Sequence, residues 1–530
     1  MRVGFIYAYM DNRRWGNKYG GPIQPITGTL IASLLPPDIE IEVINDNSPG
    51  DVDWRKDYDL LFISSIHSDF DRARQISHYW RKRGAKTVYG GFMASTYTAL
   101  CQPFFDSIVV GDAEGCIPEL YQDFCAGELQ PVYVSSPFDP LKVPTPRFDL
   151  LAKKNLIPLT LEITRGCPFT CDFCALTGIG TRFHTRPPEL VVRDIEAGQK
   201  MLRGLVPDYK LHIATFLDNN IGGNLRYLEQ LCDALTPLNL RWGSQATFNV
   251  MAKPEVVKMM SRAGCRVIFM GLESLNPATL TDMHKYQNSL DQTKTVLDLC
   301  GDHGIMVASG LLLSPLMDDL DYIYSLPPRL RECGLHMPAY ISFESPIPGT
   351  PHFHGLAEAE EPAFLPNALL RDFAGYTLVT KPKRESAEDF VAGYKWLMEN
   401  VYTPQTRWER FSEYVPRYLK GRQWFSLVAE FVRTGLGGEK LHPERTFLAG
   451  TDVPPPESLN VPFTADDFDS EAQRRAIVEP WRVSDETGRV LPMWRDSTKV
   501  FQAQGRMAVT LEDLTRTLDR KLDVSLLTMS

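Results

Sequence analysis

No apolar run in these 530 residues is long enough to cross a bilayer, which takes roughly 20 in succession, and no repeat or low-complexity tract occurs. Positive charge is in deficit: 56 Lys and Arg stand against 66 Asp and Glu, a net charge of −10, so no general basic field exists and no nucleic-acid partner is expected. The short basic clusters Arg81-Lys82-Arg83 and Lys381-Pro382-Lys383-Arg384 read as solvated faces. The start, Arg2-Val3-Gly4-Phe5-Ile6-Tyr7-Ala8, enters a strand at once and lacks the longer apolar core and cleavage site of a secretory signal, so a cytoplasmic location is expected. Cysteine is too sparse for a disulfide scaffold. Cys101, Cys116, Cys125, Cys232, Cys265, Cys300 and Cys333 are scattered and read as buried, reduced thiols.

The other three cysteines are clustered. Cys167-Pro168-Phe169-Thr170-Cys171-Asp172-Phe173-Cys174 follows the apolar run Leu159 to Ile163 and the turn Arg165-Gly166. Three thiolates at C-x-x-x-C-x-x-C spacing can hold three irons of a cubane cluster and leave the fourth open to another ligand. The competing assignment, a structural zinc site, needs four protein ligands in paired spacings. No second pair is present, and the nearest fourth candidate, His184, follows a glycine-rich stretch.

Length implies about three domains. Residues 1–135 alternate apolar strands (Val3 to Tyr7, Ile39 to Ile44, Leu60 to Ile63, Thr87 to Tyr89, Ile108 to Val110) with helical stretches such as Arg72 to Arg83, the rhythm of a doubly wound, Rossmann-like α/β sheet. Such sheets bind ligands beyond the carboxyl ends of their strands, where Ser64, Ser65, Gly90, Gly91 and Gly111-Asp112-Ala113-Glu114 fall. The glycines there either make tight turns or let a large planar ligand approach the backbone. A Pro-rich linker, 136–154, follows.

Residues 155–355 carry six longer strand–helix units, which suit a partial parallel (β/α)6 barrel with polar groups at its strand ends. Helix signals include Pro187-Pro188-Glu189, opening a helix with Val191, Ile195 and Leu202 on one face, and Pro254 to Ala263, stopped by Gly264. Residues 356–530 read as a mainly helical third domain. Ala387 to Asn400 and Arg407 to Phe431 are amphipathic and aromatic-rich, the chain beyond about 440 is Pro-rich and irregular, and a last helix is expected near Leu511 to Leu522. The aromatics read as packing, and the region's position suggests closure over the barrel.

Taken in order, Pro25 to Leu35, Tyr89-Gly90-Gly91, Val110 to Glu114, Pro146-Arg147-Phe148-Asp149, the Arg165 to Cys174 loop, Phe216 to Asn220, Gly271-Leu272-Glu273-Ser274 and Pro346 to Thr350 resemble the radical SAM superfamily, in its branch with an amino-terminal cobalamin-binding domain. The resemblance covers residues 1 to 355. It implies that Cys167, Cys171 and Cys174 ligate a 4Fe-4S cluster whose open iron is chelated by S-adenosyl-L-methionine (SAM), which an external electron donor then causes to be cleaved to a 5′-deoxyadenosyl radical. It also implies that Phe173 lies near the adenine, that Asn219, Asn220, Gln245, Glu273 and Ser274 hold SAM's polar groups, and that cobalamin lies across the first domain's strand ends.

Two departures stand out. No Asp-x-His-x-x-Gly motif occurs, so histidine ligation of cobalt is not expected, and Pro315 stands before Asp318-Asp319 where members of the resembled branch more often carry glycine. The resemblance implies a cobalamin-dependent methyltransferase acting on an unactivated carbon of a small or lipid-like metabolite. A cyclase, oxidase or ring-rearranging enzyme of the same architecture, and a non-catalytic iron–sulfur or ligand-binding protein, are the alternatives.

Overall fold

The computed structural model describes residues 1–9, 25–46, 51–152, 156–180, 182–286, 288, 290–436, 446–451 and 460–495. Six strands form the first sheet: β1 (Arg2–Tyr7), β2 (Glu40–Asn45), β3 (Leu60–Ser64), β4 (Lys86–Gly90), β5 (Ser107–Val110) and β6 (Val132–Val134). Every pairing is parallel, in the order β2-β1-β3-β4-β5-β6. The continuous apolar runs are explained by helices on both faces: Leu60, Leu61, Phe62 and Ile63 of β3 are all buried. The chain moves outward in opposite directions from β1 to β2 and from β1 to β3, so the topological switch lies between β1 and β3. The expected doubly wound sheet is present with one strand more than expected. Strand β6 was hidden because Val132-Tyr133-Val134 is only three residues long and abuts the Pro-rich linker.

The second sheet contains β7 (Leu159–Leu161) and, beyond a two-residue ribbon of β8 (Thr164–Arg165) with β9 (His184–Thr185), β10 (Ile213–Phe216), β11 (Arg241–Gln245), β12 (Cys265–Glu273), β13 (Met306–Leu313) and β14 (Tyr340–Phe343). These lie in the order β14-β13-β12-β11-β10-β7, all parallel and in chain sequence. Strands β7 and β14 are both edges, so the six strands form an open arc, the partial barrel expected from the sequence. Its helices pack outside: Val191, Ile195 and Leu202 of the Pro188–Leu202 helix join Leu159, Leu161, Trp242, Ile268 and Leu311 in one core. Gly264 ends the Pro254–Arg262 helix, with φ of 98°, as the sequence indicated.

The apolar side chains beyond residue 356 divide between two cores shared with the rest of the chain. Phe390, Tyr394, Leu397 and Met398 of the Ala387–Val401 helix join the barrel core. Phe364, Phe373, Ile477, Trp481, Val483 and Trp494 instead cover one face of the first sheet. The span Arg407 to Phe431 is two helices, Pro404–Lys420 and Trp424–Leu436, broken where Arg422 takes a φ of 53° after Gly421.

This hairpin sits under the starts of the barrel strands, not over the mouth. Arg410 donates to Leu335 O and Val307 O, Ser426 to Gly304 O, and Tyr414 and Tyr418 pack on Met306. The expectation that the aromatic helices close over the barrel is therefore corrected: they floor it. Helical periodicity reports that a face is buried but not which end of the barrel buries it. The helix expected near Leu511 to Leu522 lies outside the described residues.

Candidate active site

At the carboxyl end of β7 the chain reverses through Gly166, whose φ is 82° and where an added Cβ would lie 2.1 Å from Arg182 O, so only glycine fits. The β8–β9 ribbon closes the loop that carries the cysteines. Asp218, fully buried at the end of β10, accepts from Ile163 N at 2.8 Å, Thr164 N at 2.6 Å and Ser244 Oγ at 3.3 Å, and so ties the root of the loop to β10 and β11. Burial pushes its carboxyl up to about 7 despite those donors. Cys174 N donates to Cys171 O at 3.1 Å, and the Ala175–Ile179 helix follows.

Burial pushes the Cys167 and Cys174 thiols up, and each feels the neighbouring thiols of the loop. Iron would supply the charge that ionises them. Among the described residues no three His, Cys, Asp or Glu side chains converge as a single metal ion requires. Cubane ligands each reach a different iron, so three converging side chains are not what a cluster requires.

Asn220 completes the cluster side of the site. It is fully buried, neither of its amide atoms meets a partner at full hydrogen-bond geometry, and its amide lies near enough to Cys167 to favour that thiolate. An unsatisfied amide sealed beside the cysteine loop fits a group that would occupy this place. Asn219, next to it, is exposed, as is Gln245 at the end of β11.

Strand β12 ends in a bulge between Gly271 and Glu273, with Glu273 at a φ of 64°. A left-handed glutamate is strained, and here the strain turns its side chain back across Gly271, where an added Cβ would lie 2.2 Å from Glu273 Oε1. Lys285 Nζ donates to Glu273 Oε1 at 2.8 Å and lies 5.8 Å from the centre of the Phe173 ring. Burial works against the Lys285 ammonium, but Glu273, supported by Cys171 and Cys174, outweighs it and holds the lysine above its ordinary value. Glu273, Phe173 and the cysteines are thus brought near one another, with Lys285 between them.

Ser274 is turned away: its hydroxyl shares a hydrogen bond with Tyr322 at 2.9 Å and accepts from Asn276 N. The loop after β13, where Pro315 departs from the pattern, is internally engaged, with Asp318 holding Ser314 N, Thr279 and Asn276. On the outer side of the cysteine loop, a cavity of about 820 Å³ is lined by Phe169, Thr170, Asp172, His284 and Tyr286, among others.

In the first sheet, two of the three candidate glycines are needed by the backbone itself. Gly91 (φ 117°) lies against Ser64 Oγ and Ser65 O, and Gly111 (φ 89°) donates to Ser95 Oγ. Ser65 is committed to Tyr89 OH at 2.9 Å. Gly90 differs, because a Cβ there would meet nothing closer than Val109 at an ordinary 3.7 Å. Neither conformation nor internal packing demands glycine at 90, so what its missing side chain leaves open is the strand-end surface.

The two strand-end surfaces face one another. The Phe92–Thr96 helix packs on the Ala175–Ile179 helix. Gly349 sits between them, its carbonyl against Gly178 and its own α-carbon side against Thr96. Arg165, two residues before Cys167, reaches across to Asp112 at 2.8 Å and Glu114 at 2.8 Å while holding Glu162 at 2.6 Å. Its guanidinium lies 4.0 Å over the Phe138 ring. Sequence reasoning quoted Arg165 only as part of a turn and missed Lys285 and Asp218 as site residues. None carries a spacing signal, because each acts through a partner distant in sequence.

A three-cysteine loop at the mouth of an open parallel barrel, with polar side chains gathered at the strand ends, defines a protein built to hold an iron–sulfur cluster beside a small charged ligand. Residues 161–322 match the sequence model of the radical SAM superfamily, and the chain resembles that superfamily's branch with an amino-terminal cobalamin-binding domain. It is 26% identical over 397 residues to the bacteriochlorophyllide d C-8(2)-methyltransferase of Chlorobaculum tepidum, covering 71% of this chain and 87% of that one. To the hopanoid C-2 methylase of Rhodopseudomonas palustris it is 26% identical over 304 residues, 54% of this chain and 55% of that one. Its fold resembles the cobalamin-dependent SAM radical enzyme OxsB (TM-score 0.57, 14% identity, 85% of this chain and 76% of that chain). It also resembles the radical SAM methyltransferase TsrM from Kitasatospora setae (TM-score 0.53, 16% identity, 73% and 83%).

Lys285→Met is expected to weaken SAM binding by roughly 10- to 100-fold, the worth of a charge-assisted hydrogen bond lost beside an orphaned carboxylate. Equilibrium binding of SAM to the reconstituted protein measures it, and iron content should not change.

Proposed function

We infer that the protein is a cobalamin-dependent radical SAM methyltransferase acting on an unactivated carbon of a tetrapyrrole or lipid-like substrate. The observation that carries this reading is the apposition of the glycine-rich ends of the first sheet to the cysteine loop, held by Arg165. When bound, the three groups supply a one-electron cleavage of SAM, hydrogen abstraction from substrate and a transferable methyl group, with an external donor providing the electron and a second SAM restoring the methyl.

The chain's own residues have separable tasks. Cys167, Cys171 and Cys174 would hold the irons, and Asp218 fixes the root of their loop. Lys285 and Glu273 present one cation and one carboxylate with a fixed separation, suited to SAM's carboxylate and amino groups, with Asn220 and Phe173 alongside. Ser64, Gly90, Gly91 and Gly111 would line the corrin's resting surface, and Gly90 is the residue whose identity the protein interior leaves unexplained. His67, just beyond β3, is held by Phe373 O at 2.5 Å.

Methylating relatives favour this reading, although similarity also extends to an anaerobic magnesium-protoporphyrin IX monomethyl ester cyclase of Rubrivivax gelatinosus, 21% identical over 316 residues. The deciding experiment is anaerobic reconstitution with iron, sulfide and cobalamin, followed by incubation with reductant, methyl-deuterated SAM and a bacteriochlorophyllide or hopanoid. Transfer of the labelled methyl is expected. Formation of 5′-deoxyadenosine with substrate conversion but no label in product would replace methyl transfer by cyclisation or oxidation.

Gly90→Val separates the corrin surface from the fold. Because an added Cβ meets only an ordinary contact with Val109 and a β-branched residue suits a strand, thermal stability should stay within roughly 1 kcal/mol of the parent. Cobalamin retained through gel filtration, read by its visible absorbance, should fall to background while iron content is unchanged.

A further inference from the structure

The hairpin that floors the barrel has a second face. Its inner side is fixed: Arg410 and Glu430 form a fully buried pair at 2.6 Å, and Ser426, Tyr414 and Tyr418 are packed on the strand starts. Its outer side is apolar and open to solvent. On the Trp424–Leu436 helix, Trp424, Val428, Phe431 and Val432 recur at helical spacing and are 65%, 59%, 65% and 46% exposed. Trp408 and Leu419 of the Pro404–Lys420 helix extend the same surface. An apolar stripe of this kind on one rigid hairpin is more than the scattered exposure usual for a protein surface.

Charge says what would cover it. The chain as a whole is negative, at −10, yet among the described residues this face carries no exposed carboxylate of its own. Glu430 is buried with Arg410, Glu413 is turned to His336 and Lys294, and Glu409 lies toward Arg331. At the tip of the hairpin, Lys420 and Arg422 are exposed and make no ion pair among the described residues. Large exposed aromatics with unpaired cations at the tip of the same hairpin match the chemistry of a bilayer interface, where tryptophan and phenylalanine enter the headgroup boundary and cations meet lipid phosphates. No described helix is long and apolar enough to cross a membrane, so the hairpin would lie on the surface.

We propose that this hairpin docks the protein on an anionic lipid bilayer, through the Trp424–Val432 stripe and the Lys420–Arg422 tip. The docking surface is at the opposite end of the barrel from the cysteine loop, so it does not depend on the reaction assigned above. It leaves the mouth facing away from the lipid.

The test is co-sedimentation of the full chain with extruded vesicles of phosphatidylcholine alone and of phosphatidylcholine with an equal share of phosphatidylglycerol. Binding to the anionic vesicles and little to the neutral ones is expected. The double variant Lys420→Ser/Arg422→Ser should bind anionic vesicles roughly 25-fold more weakly, about fivefold for each cation removed. Trp424→Ser/Phe431→Ser should lose sedimentation with both vesicle types, while its melting curve stays that of the parent because neither side chain is packed in the core. Failure of the parent to sediment, equal binding to neutral and anionic vesicles, or binding indifferent to the aromatic substitutions overturns the proposal. A parent that light scattering finds dimeric and Trp424→Ser/Phe431→Ser makes monomeric, without vesicle binding in either, would assign the face to a second copy of the chain instead.

Discussion

Cys171→Ala should abolish 5′-deoxyadenosine formation, by more than about a thousandfold, while leaving the fold in place. The loss is large because three thiolates are the protein's whole hold on the cluster, and an open-iron cubane cannot keep its vacancy for SAM if a second iron also loses its anchor. Cys171 is the most buried of the three and lies between the others in sequence, with Lys285 also in its field. Exchanging a thiol for a methyl at a loop position removes one sulfur's contacts, a cost of about 1 kcal/mol that the large shared core absorbs.

Iron content and cluster absorbance read the first effect, and thermal unfolding of the unreconstituted chain reads the second. Cys101→Ala is the control. Its thiol is sealed in the first domain, where burial pushes it far up, and it should keep full iron and full SAM cleavage. A Cys171→Ala protein that still cleaved SAM at the parent rate would put the cluster elsewhere.

How much of this could be read from the sequence depends on what kind of neighbour each residue needs. Both sheets were legible because fully buried parallel strands are written as apolar runs, and the cysteine loop because its ligands lie within eight consecutive residues. Lys285 was not legible. It lies twelve residues beyond its partner Glu273 in a segment without periodicity, and only the bulge at Gly271 and the left-handed turn at Glu273 bring the two together. Ser274 shows the opposite case. Its position beside Glu273 suggested a ligand, yet in the fold the hydroxyl is taken up by Tyr322 from another helix.

The aromatic helices were legible as helices but not as a floor. An amphipathic pattern gives a face and not an address, and here two of the addresses, Val307 O and Leu335 O, are backbone carbonyls that leave no mark in sequence. The same limit explains why Arg407 to Phe431 read as one helix. Gly421-Arg422 interrupts the chain without proline, and the heptad-like spacing of the aromatics runs through the break.

Arg165→Met should destabilise the protein by about 3 to 5 kcal/mol at pH 8, the cost expected when one partner of a buried ionic cluster is removed. Arg165 is a small part of the surface between the two sheets, but it stands alone against Asp112, Glu114 and Glu162, so the cluster already carries two more carboxylates than cations. Burial raises the Asp112 and Glu162 carboxyls even with the guanidinium present, Arg165 being the main group that opposes it, with His184 adding to it at Asp112. Without that opposition they rise further. A carboxyl whose folded value is raised contributes stability below its unfolded value and loses it as pH climbs through the folded one. The variant should therefore approach the parent at pH 5, where its carboxyls take up protons, and fall away steeply toward pH 8.

Urea unfolding at the two pH values measures this, and Arg165→Lys should recover only part of the loss, since one ammonium cannot reach three carboxylates in the plane a guanidinium spans. A pH-independent loss would mean that Arg165 acts by packing on Phe138 alone. The pH-dependent result would make this one side chain the electrostatic latch that sets the loop after β5, at Gly111, against the loop of Cys167.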